Sequence, residues 1–337
     1  MTPRPLPCLA AAGLAVGMAV TPALADDRFF VYVSPDAIGV NAFLQMGRSG
    51  TEAAGEMFGA EVRTYESRTA AERRENVNAA LDEGADVIVL LGFEFNDTVT
   101  QLAPTAPDTQ FLIIDQCIPD QPDNVHCVVF REYEVSYLMG VAAAMMTEAG
   151  HVGVVGALDI PFLRRYTEGY AMGARLVAPD ITVSTRWVGG ENPFADPVRA
   201  KEQAVALHAA GADVIFTATA GGDFGVFEAA DELGFLMMAV DVNRCPEVPG
   251  RVIDNTLKGV DAAVIAGITT ILDGATASFQ SVGIAEGGML AAALNPETVG
   301  DSGCLVADHP EVAERMRAVA AQIVDGSLDI PDPMFAQ

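Results

Sequence analysis

The chain has 337 residues with 46 acidic against 19 basic side chains, a formal charge of −27, and half of its residues are hydrophobic. That charge disfavours nucleic acid and anionic lipid as partners and reads first as a solvated, solubilising surface. The length is enough for two domains with cores of their own.

At the start, Arg4, an apolar run from Leu9 to Val20 and Ala23-Leu24-Ala25 predict a secretory signal peptide over residues 1–25. The run is too short to span a membrane, and Cys8 lies too early to be a lipid-modified cysteine at a mature N-terminus. A soluble, exported product beginning near Asp26 is expected. Phe29–Ser34 then reads as a strand, 41–58 as a helix, Glu61–Tyr65 as a strand and 69–83 as a polar-faced helix. Strand 86–91, a turn from Gly92 to Asn96 that opens a helix, and strand 110–115 follow. A short strand at 128–130 leads to a long helix over 131–150 closed by Gly150. The second half repeats the plan: strand 151–156, helix 161–177, strand 182–188, helix 197–210, strand 213–219, a glycine turn opening a helix, and strand 235–241. A strand and helix over 252–274 and a closing helix over 310–325 complete the chain, while 189–197 reads as a surface turn.

The repetition extends to residue identity. Gly84-Ala85-Asp86-Val87-Ile88 recurs as Gly211-Ala212-Asp213-Val214-Ile215, and the strands ending in Asp115 and Asp241 are each followed by a cysteine within four residues. The offsets, 127 residues for the first pair and 126 for the second, far exceed solenoid periods and imply two similar domains. Strict alternation of strand and helix predicts an α/β chain of two Rossmann-like lobes, each a parallel sheet flanked by helices and joined by a hinge of several strands. The expected lobes are 26–148 plus about 253–278, and 149–252 plus about 279–337. The cysteines Cys117, Cys127, Cys245 and Cys304 allow three pairings in an oxidising compartment. Cys117–Cys127 and Cys245–Cys304 are preferred, because each first member follows an equivalent strand end.

In open parallel sheets a ligand sits beyond the carboxyl ends of the strands. The turns 34–43, 92–96, 157–162 and 220–225, with Asp115 and Asp241, should therefore converge on one cleft. Those turns carry Phe43, Phe93, Phe95, Phe162 and Phe224, which either pack near strand ends or clamp a flat heterocycle. Asp115 and Asp241 either cap turns or accept from ligand hydroxyls or a base N–H. Lys258 is either a surface lysine or the neutraliser of those acids. Gly221 and Gly222 let backbone approach a neutral ligand, but the turn is not a dinucleotide motif and Asp223 would repel phosphate. No G-x-x-x-x-G-K-[ST], G-x-S-x-G or H-E-x-x-H sequence occurs, His126, His151, His208 and His309 are scattered singly, and no metal or cofactor is expected.

The segments 42–47, 130–140, 156–174, 220–234, 240–243, 255–264 and 286–294, taken in order, resemble the basic membrane protein (PnrA-like) family of ABC-importer receptors. The resemblance implies a type I periplasmic-binding fold and a non-enzymatic receptor for a nucleoside, a purine one first. Delivery of this ligand to an ABC permease is implied with it, and the signal peptide without a family lipoprotein cysteine predicts a monomer free in the periplasm. It also implies that Phe43 stacks on the base with a second aromatic opposite, and that Gly221, Gly222, Asp115, Asp241 and Lys258 stand at ligand positions; Asp36, which does not align cleanly with the family's acid, Asn41, Phe93, Phe162 and Phe224 are the further candidates that the cleft turns supply. Here Asn41 replaces the family's lysine, Leu44 its asparagine, and Asp223 its Thr or Ser. Receptors for sugars or other heterocycles, and a secreted nucleoside- or sugar-cleaving enzyme, are the competing readings.

Overall fold

The computed structural model describes residue 1 and residues 28–335; the signal peptide expected over 1–25 lies outside the described residues, Met1 apart. In chain order the strands and helices are β1 (Phe29–Ser34), α1 (Ala42–Phe58), β2 (Glu61–Glu66), α2 (Ala70–Asp82), β3 (Val87–Leu91), α3 (Asn96–Leu102), β4 (Gln110–Ile114), β5 (Val125–Phe130), α4 (Glu132–Met146), β6 (His151–Gly156) and α5 (Pro161–Val177). They continue as β7 (Thr182–Trp187), α6 (Pro197–Ala209), β8 (Val214–Ala218), α7 (Asp223–Leu233), β9 (Leu236–Asp241), β10 (Val252–Lys258), α8 (Val260–Leu272), β11 (Phe279–Val282), β12 (Met289–Leu290) and α9 (Pro310–Val324).

The strands form two six-stranded sheets, ordered β11-β5-β4-β3-β1-β2 and β12-β10-β9-β8-β6-β7. Every pairing is parallel except β10 with β12. Continuous apolar runs such as Val87–Leu91 are buried on both faces, which is what a parallel strand between two helix layers requires. The repeated Gly-Ala-Asp-Val-Ile stretches open β3 and β8, which hold equivalent places in the two sheets, and the two aspartates follow or end β4 and β9. The predicted fold class is the one found. Both expected disulfides also form: Cys117–Cys127 ties the β4–β5 connection, and Cys245–Cys304 ties the segment after β9 to that before α9.

The division between lobes differs from the one expected. Sequence puts helix α4 with the first lobe, but it packs along α5 and against α9 and β10, on the second sheet. The cause is small residues at the α4–α5 crossing. A Cβ on Gly140 would lie 2.0 Å from the Tyr170 carbonyl oxygen, and one on Gly173 would lie 1.9 Å from that of Tyr137. Only bare backbone lets the helices meet this closely. The first crossing therefore falls at Arg131 rather than after residue 148. Strand β10 belongs to the second sheet rather than to a first-lobe segment starting at 253, whereas α8 packs on β4 and β5, and β11 pairs with β5 in the first sheet rather than beginning the return at 279. The chain thus changes lobe after β5, after β10 and between β11 and β12. Helix α4 ends at Met146, with Thr147 as its cap, so Gly150 does not close it.

Arg131 binds these crossings together. Its guanidinium meets Glu134 and Glu286 (2.5 Å) and donates to the Ser281 carbonyl (2.8 Å), while Glu134 accepts from the Ile284 N–H (2.8 Å). Two of the three inter-lobe connections are pinned to each other by one side chain.

Candidate ligand-binding cavity

The carboxyl ends of both sheets face a cavity of about 580 Å³, within the range of roughly 300–1,000 Å³ common for small-molecule sites. Its lining includes the β1–α1 turn (Pro35, Asp36, Asn41, Phe43), the β3–α3 turn (Gly92, Phe93, Glu94), Asp115, Phe162 and Tyr166 of α5, Asp241 and Lys258. The convergence expected from the strand-end rule is present.

At its base lies a buried charge cluster. Lys258 Nζ is 2.6 Å from Asp115 Oδ1 and 3.0 Å from Glu132 Oε1, and it donates to the Tyr166 hydroxyl at 3.3 Å. The rings of Phe43, Phe130, Phe162 and Tyr166 surround the ammonium at 4.8–5.8 Å, a cation–π box. Burial works against the lysine's charge, but Asp115, Tyr166, Glu132 and Asp241 hold it charged, well above the ordinary value. Burial also raises Asp115, Glu132 and Asp241, with Lys258 opposing it in each case. Asp115 and Glu132 share one ammonium, and Asp241 feels it only at a distance, so desolvation outweighs the attraction for each of the three. Glu132 is itself held from behind. Arg165 reaches its other oxygen at 3.3 Å, donates to the Phe130 carbonyl at 2.9 Å, and grips Asp332 through two nitrogens at 2.5–3.1 Å.

The two strand-end aspartates share an unusual backbone state, φ +80° at Asp115 and +72° at Asp241, and Ala220 joins them at +53°. Non-glycine residues in this region carry a strain of order 1–3 kcal/mol that persists where surrounding structure holds it, and such residues cluster at functional sites. Asp241 is nearly buried, yet among the described residues its carboxylate has no hydrogen-bonding or ion-pair partner.

The other expected positions divide. Asp36 and Asn41 line the cavity, though Asn41 also caps α1 by accepting from the Leu44 N–H at 3.3 Å. Phe95 is fully buried in the core on the far face of the first sheet, so it is no cleft residue. Gly221, Gly222 and Phe224 do not line the cavity. The Phe224 ring instead lies under the Arg244 guanidinium and against Phe227. The glycines act one step away. A Cβ on Gly221 would stand 3.0 Å from the Phe194 carbonyl oxygen, and one on Gly225 only 1.7 Å from that of Pro197. This glycine turn is the seat on which the 191–197 loop rests. That loop, expected to be a plain surface turn, brings Glu191, Asn192, Pro193 and Phe194 into the lining, and Phe194 meets Phe93 of the other lobe at 6.3 Å between ring centres. Glu94, Glu132, Tyr166 and Phe194 were not singled out from sequence. Phe194 sits in an aperiodic Gly/Asn/Pro stretch, and Glu132 is one acid among several at a helix start. Only the aromatic within the 189–197 turn was a usable signal.

The model of a family described as ABC transporter substrate-binding protein PnrA-like matches residues 30–291. The chain belongs to that family. Its members are substrate-binding proteins rather than enzymes. The chain is similar to an ABC transporter nucleoside-binding protein, BmpA, of Lactococcus lactis, 32% identical over 59% of this chain and 57% of that protein. It is also similar to a CD4+ T-cell-stimulating antigen of Listeria innocua, 26% identical over 79% of this chain and 76% of the relative. The match to the Lactococcus protein spans little more than half of that relative's length. A solute-binding protein of an ABC transporter system from Aeropyrum pernix shares the fold, with a TM-score of 0.80, 24% identity, and 91% and 94% of the two chains covered. A myo-inositol-binding protein from Caulobacter superposes with a TM-score of 0.62 at 14% identity. No helix among the described residues of this PnrA-like protein is long and apolar enough to cross a membrane.

Proposed function

We propose that this protein captures a nucleoside, a purine one first, in the cavity between its lobes and presents it to the permease of an ABC importer. The observation that carries the reading is the pairing of unlike surfaces in one cavity. Two strand-end carboxylates and a lysine lie at its base, with aromatic faces above. Vicinal ribose hydroxyls suit Asp241, whose carboxylate has no partner among the described residues, and Asp115 with Lys258. A flat base suits Phe43 and the Phe93–Phe194 pair, with Phe162 flanking the lysine. Asp36 and Asn41 then stand at the base edge, while Gly221 and Gly222 shape the loop that carries Phe194 rather than touching the ligand. A nucleoside-binding relative supports this choice. We further propose that the protein acts as a monomer in the periplasm, exported by a cleaved signal over residues 1–25.

Thermal-shift screening of the purified protein against nucleosides, free bases, pentoses, hexoses and flavins tests the proposal. A ligand that binds only the folded form adds about 2.7 kcal/mol at a hundredfold excess over Kd. A shift with purine nucleosides and none with sugars is expected. A shift with sugars alone would overturn the nucleoside reading.

A further inference from the structure

Glu94 stands apart from the acids at the base of the cavity. It follows β3 in the turn Gly92-Phe93-Glu94, lines the cavity, and is half-buried. Its carboxylate folds back over Gly92, where a Cβ would lie 2.4 Å from Glu94 Oε2. Gly92 has φ +90°, so the position suits glycine for both backbone and space. Among the described residues no side chain or backbone N–H of another residue bonds to Glu94. Its charged neighbours come from three elements: Arg73 of α2, Asp36 of the β1–α1 turn, and Asp115 after β4. Burial is the main influence on the Glu94 carboxyl and pushes it up to about 7; Arg73 opposes this and the two aspartates add to it. Arg73 lines the same end of the cavity, tethered through one nitrogen to the Pro35 carbonyl at 2.9 Å. A half-buried carboxyl without a partner is costly unless a ligand supplies donors.

Resting on the nucleoside reading, we propose that Glu94 reads the six-membered-ring edge of the base and selects 6-oxopurines over adenine. An ionised carboxylate only accepts hydrogen bonds, through two oxygens side by side. Guanine offers two adjacent donors there, the N1–H and the 2-amino group, and hypoxanthine offers the N1–H alone. Adenine turns an acceptor nitrogen toward the carboxylate. Arg73 supplies N–H donors for the neighbouring 6-oxygen, a demand adenine does not make. Asp36, half-buried and accepting from the Ala37 N–H at 2.8 Å, and Asp115, paired with Lys258, are otherwise engaged. Discrimination by one such paired edge is about tenfold to a hundredfold.

Binding to the carboxylate form has a pH signature. Donors from the base favour the ionised acid, so guanosine affinity rises as pH climbs through about 7. Asp115, Asp241 and Asp36 face the same cavity, so the Glu94 contribution is the part that disappears in an isosteric variant.

The test is calorimetric titration of wild-type protein and Glu94→Gln with guanosine, inosine and adenosine at pH about 6 and about 8.5. Wild type should bind guanosine tightest, then inosine, then adenosine, with the guanosine preference widening at the higher pH. Glu94→Gln should narrow the guanosine-to-adenosine ratio at least about tenfold and lose that widening, with adenosine little changed. Thermal melting checks that the variant is folded, and Glu94→Ala, which leaves cavity space in place of the carboxyl, gives the same comparison. An unchanged ratio, or equal loss of all three nucleosides, would overturn the edge-reading role while leaving the proposed function standing. Failure of wild type to bind any nucleoside would remove both.

Discussion

Lys258 is ion-paired to Asp115 and Glu132, and removing it leaves Asp115 buried without its counter-charge while Glu132 keeps only Arg165. Breaking a buried pair in this way costs about 3–5 kcal/mol. Lys258→Met should lose about that much at pH 7 in urea unfolding, and less near pH 5, where the raised acids are more readily neutralised. Asp223 offers a cleaner titration. It accepts from the Thr217 and Thr219 hydroxyls, both at 2.7 Å, and from the Thr219 N–H at 3.0 Å, all through one oxygen. Burial pushes it from an ordinary 3.8 up to about 7, with those bonds pulling the other way. A raised acid contributes stability that is full below its unfolded value and lost as pH rises through the folded one, here from about 4 to about 7. Asp223→Asn keeps the accepting oxygen, so the fall in urea midpoint between pH 5 and pH 8 should be shallower than in wild type. The aromatic assignments separate just as directly. Phe43→Ala and Phe194→Ala should each weaken nucleoside binding by about 1–3 kcal/mol, whereas Phe224→Ala, which removes a ring outside the cavity, should leave affinity unchanged.

The α6–α7 pair shows how an element can serve the cavity without touching it. Gly225 lies against the Pro197 carbonyl so closely that any Cβ forces the start of α6 away. Gly225→Ala should therefore lower both melting temperature and ligand affinity, because the loop before α6 carries Phe194; a stability loss with affinity intact would uncouple the two. What was legible from sequence follows the same line. The strands could be read because buried parallel strands are short apolar runs between glycine turns, and the repeat made β3 and β8 recognisable as equivalents. Strand-end positions such as Asp115, Asp241 and Lys258 could be read because the strand-end rule fixes where a cleft must be. The lobe membership of α4, β10 and β11 could not, since nothing local tells a strand which sheet it will join. That depends on contacts such as Gly140 against Tyr170, made between residues far apart in the chain. Phe194 escaped for a related reason: its loop has no period, and the glycines supporting it sit in another turn.

At the scale of the molecule, among the described residues the two lobes share three crossings and one charge relay, and each holds one disulfide of its own. The disulfides differ in leverage, because Cys245–Cys304 spans 59 residues and Cys117–Cys127 only 10. On loop-closure grounds the longer link stabilises by about 4 kcal/mol and the shorter by about 3. Replacing Cys245 and Cys304 together by Ser should lower the melting temperature more than replacing the other pair. The relay from Asp332 through Arg165 and Glu132 to Lys258 and Asp115 joins a segment beyond α9 to the base of the cavity. Asp332→Ala should weaken nucleoside binding although Asp332 lies outside the cavity lining, and affinity equal to wild type would show that Arg165 needs no such anchor. The relay also has a direction in time. Asp332 comes after every other member in the order of synthesis, so Arg165 and Glu132 exist long before the anchor that completes their charge balance. A growing chain can build most of both sheets first, but its lysine pocket reaches its finished electrostatic state only when residue 332 has been made, which makes that charge balance a late product of synthesis.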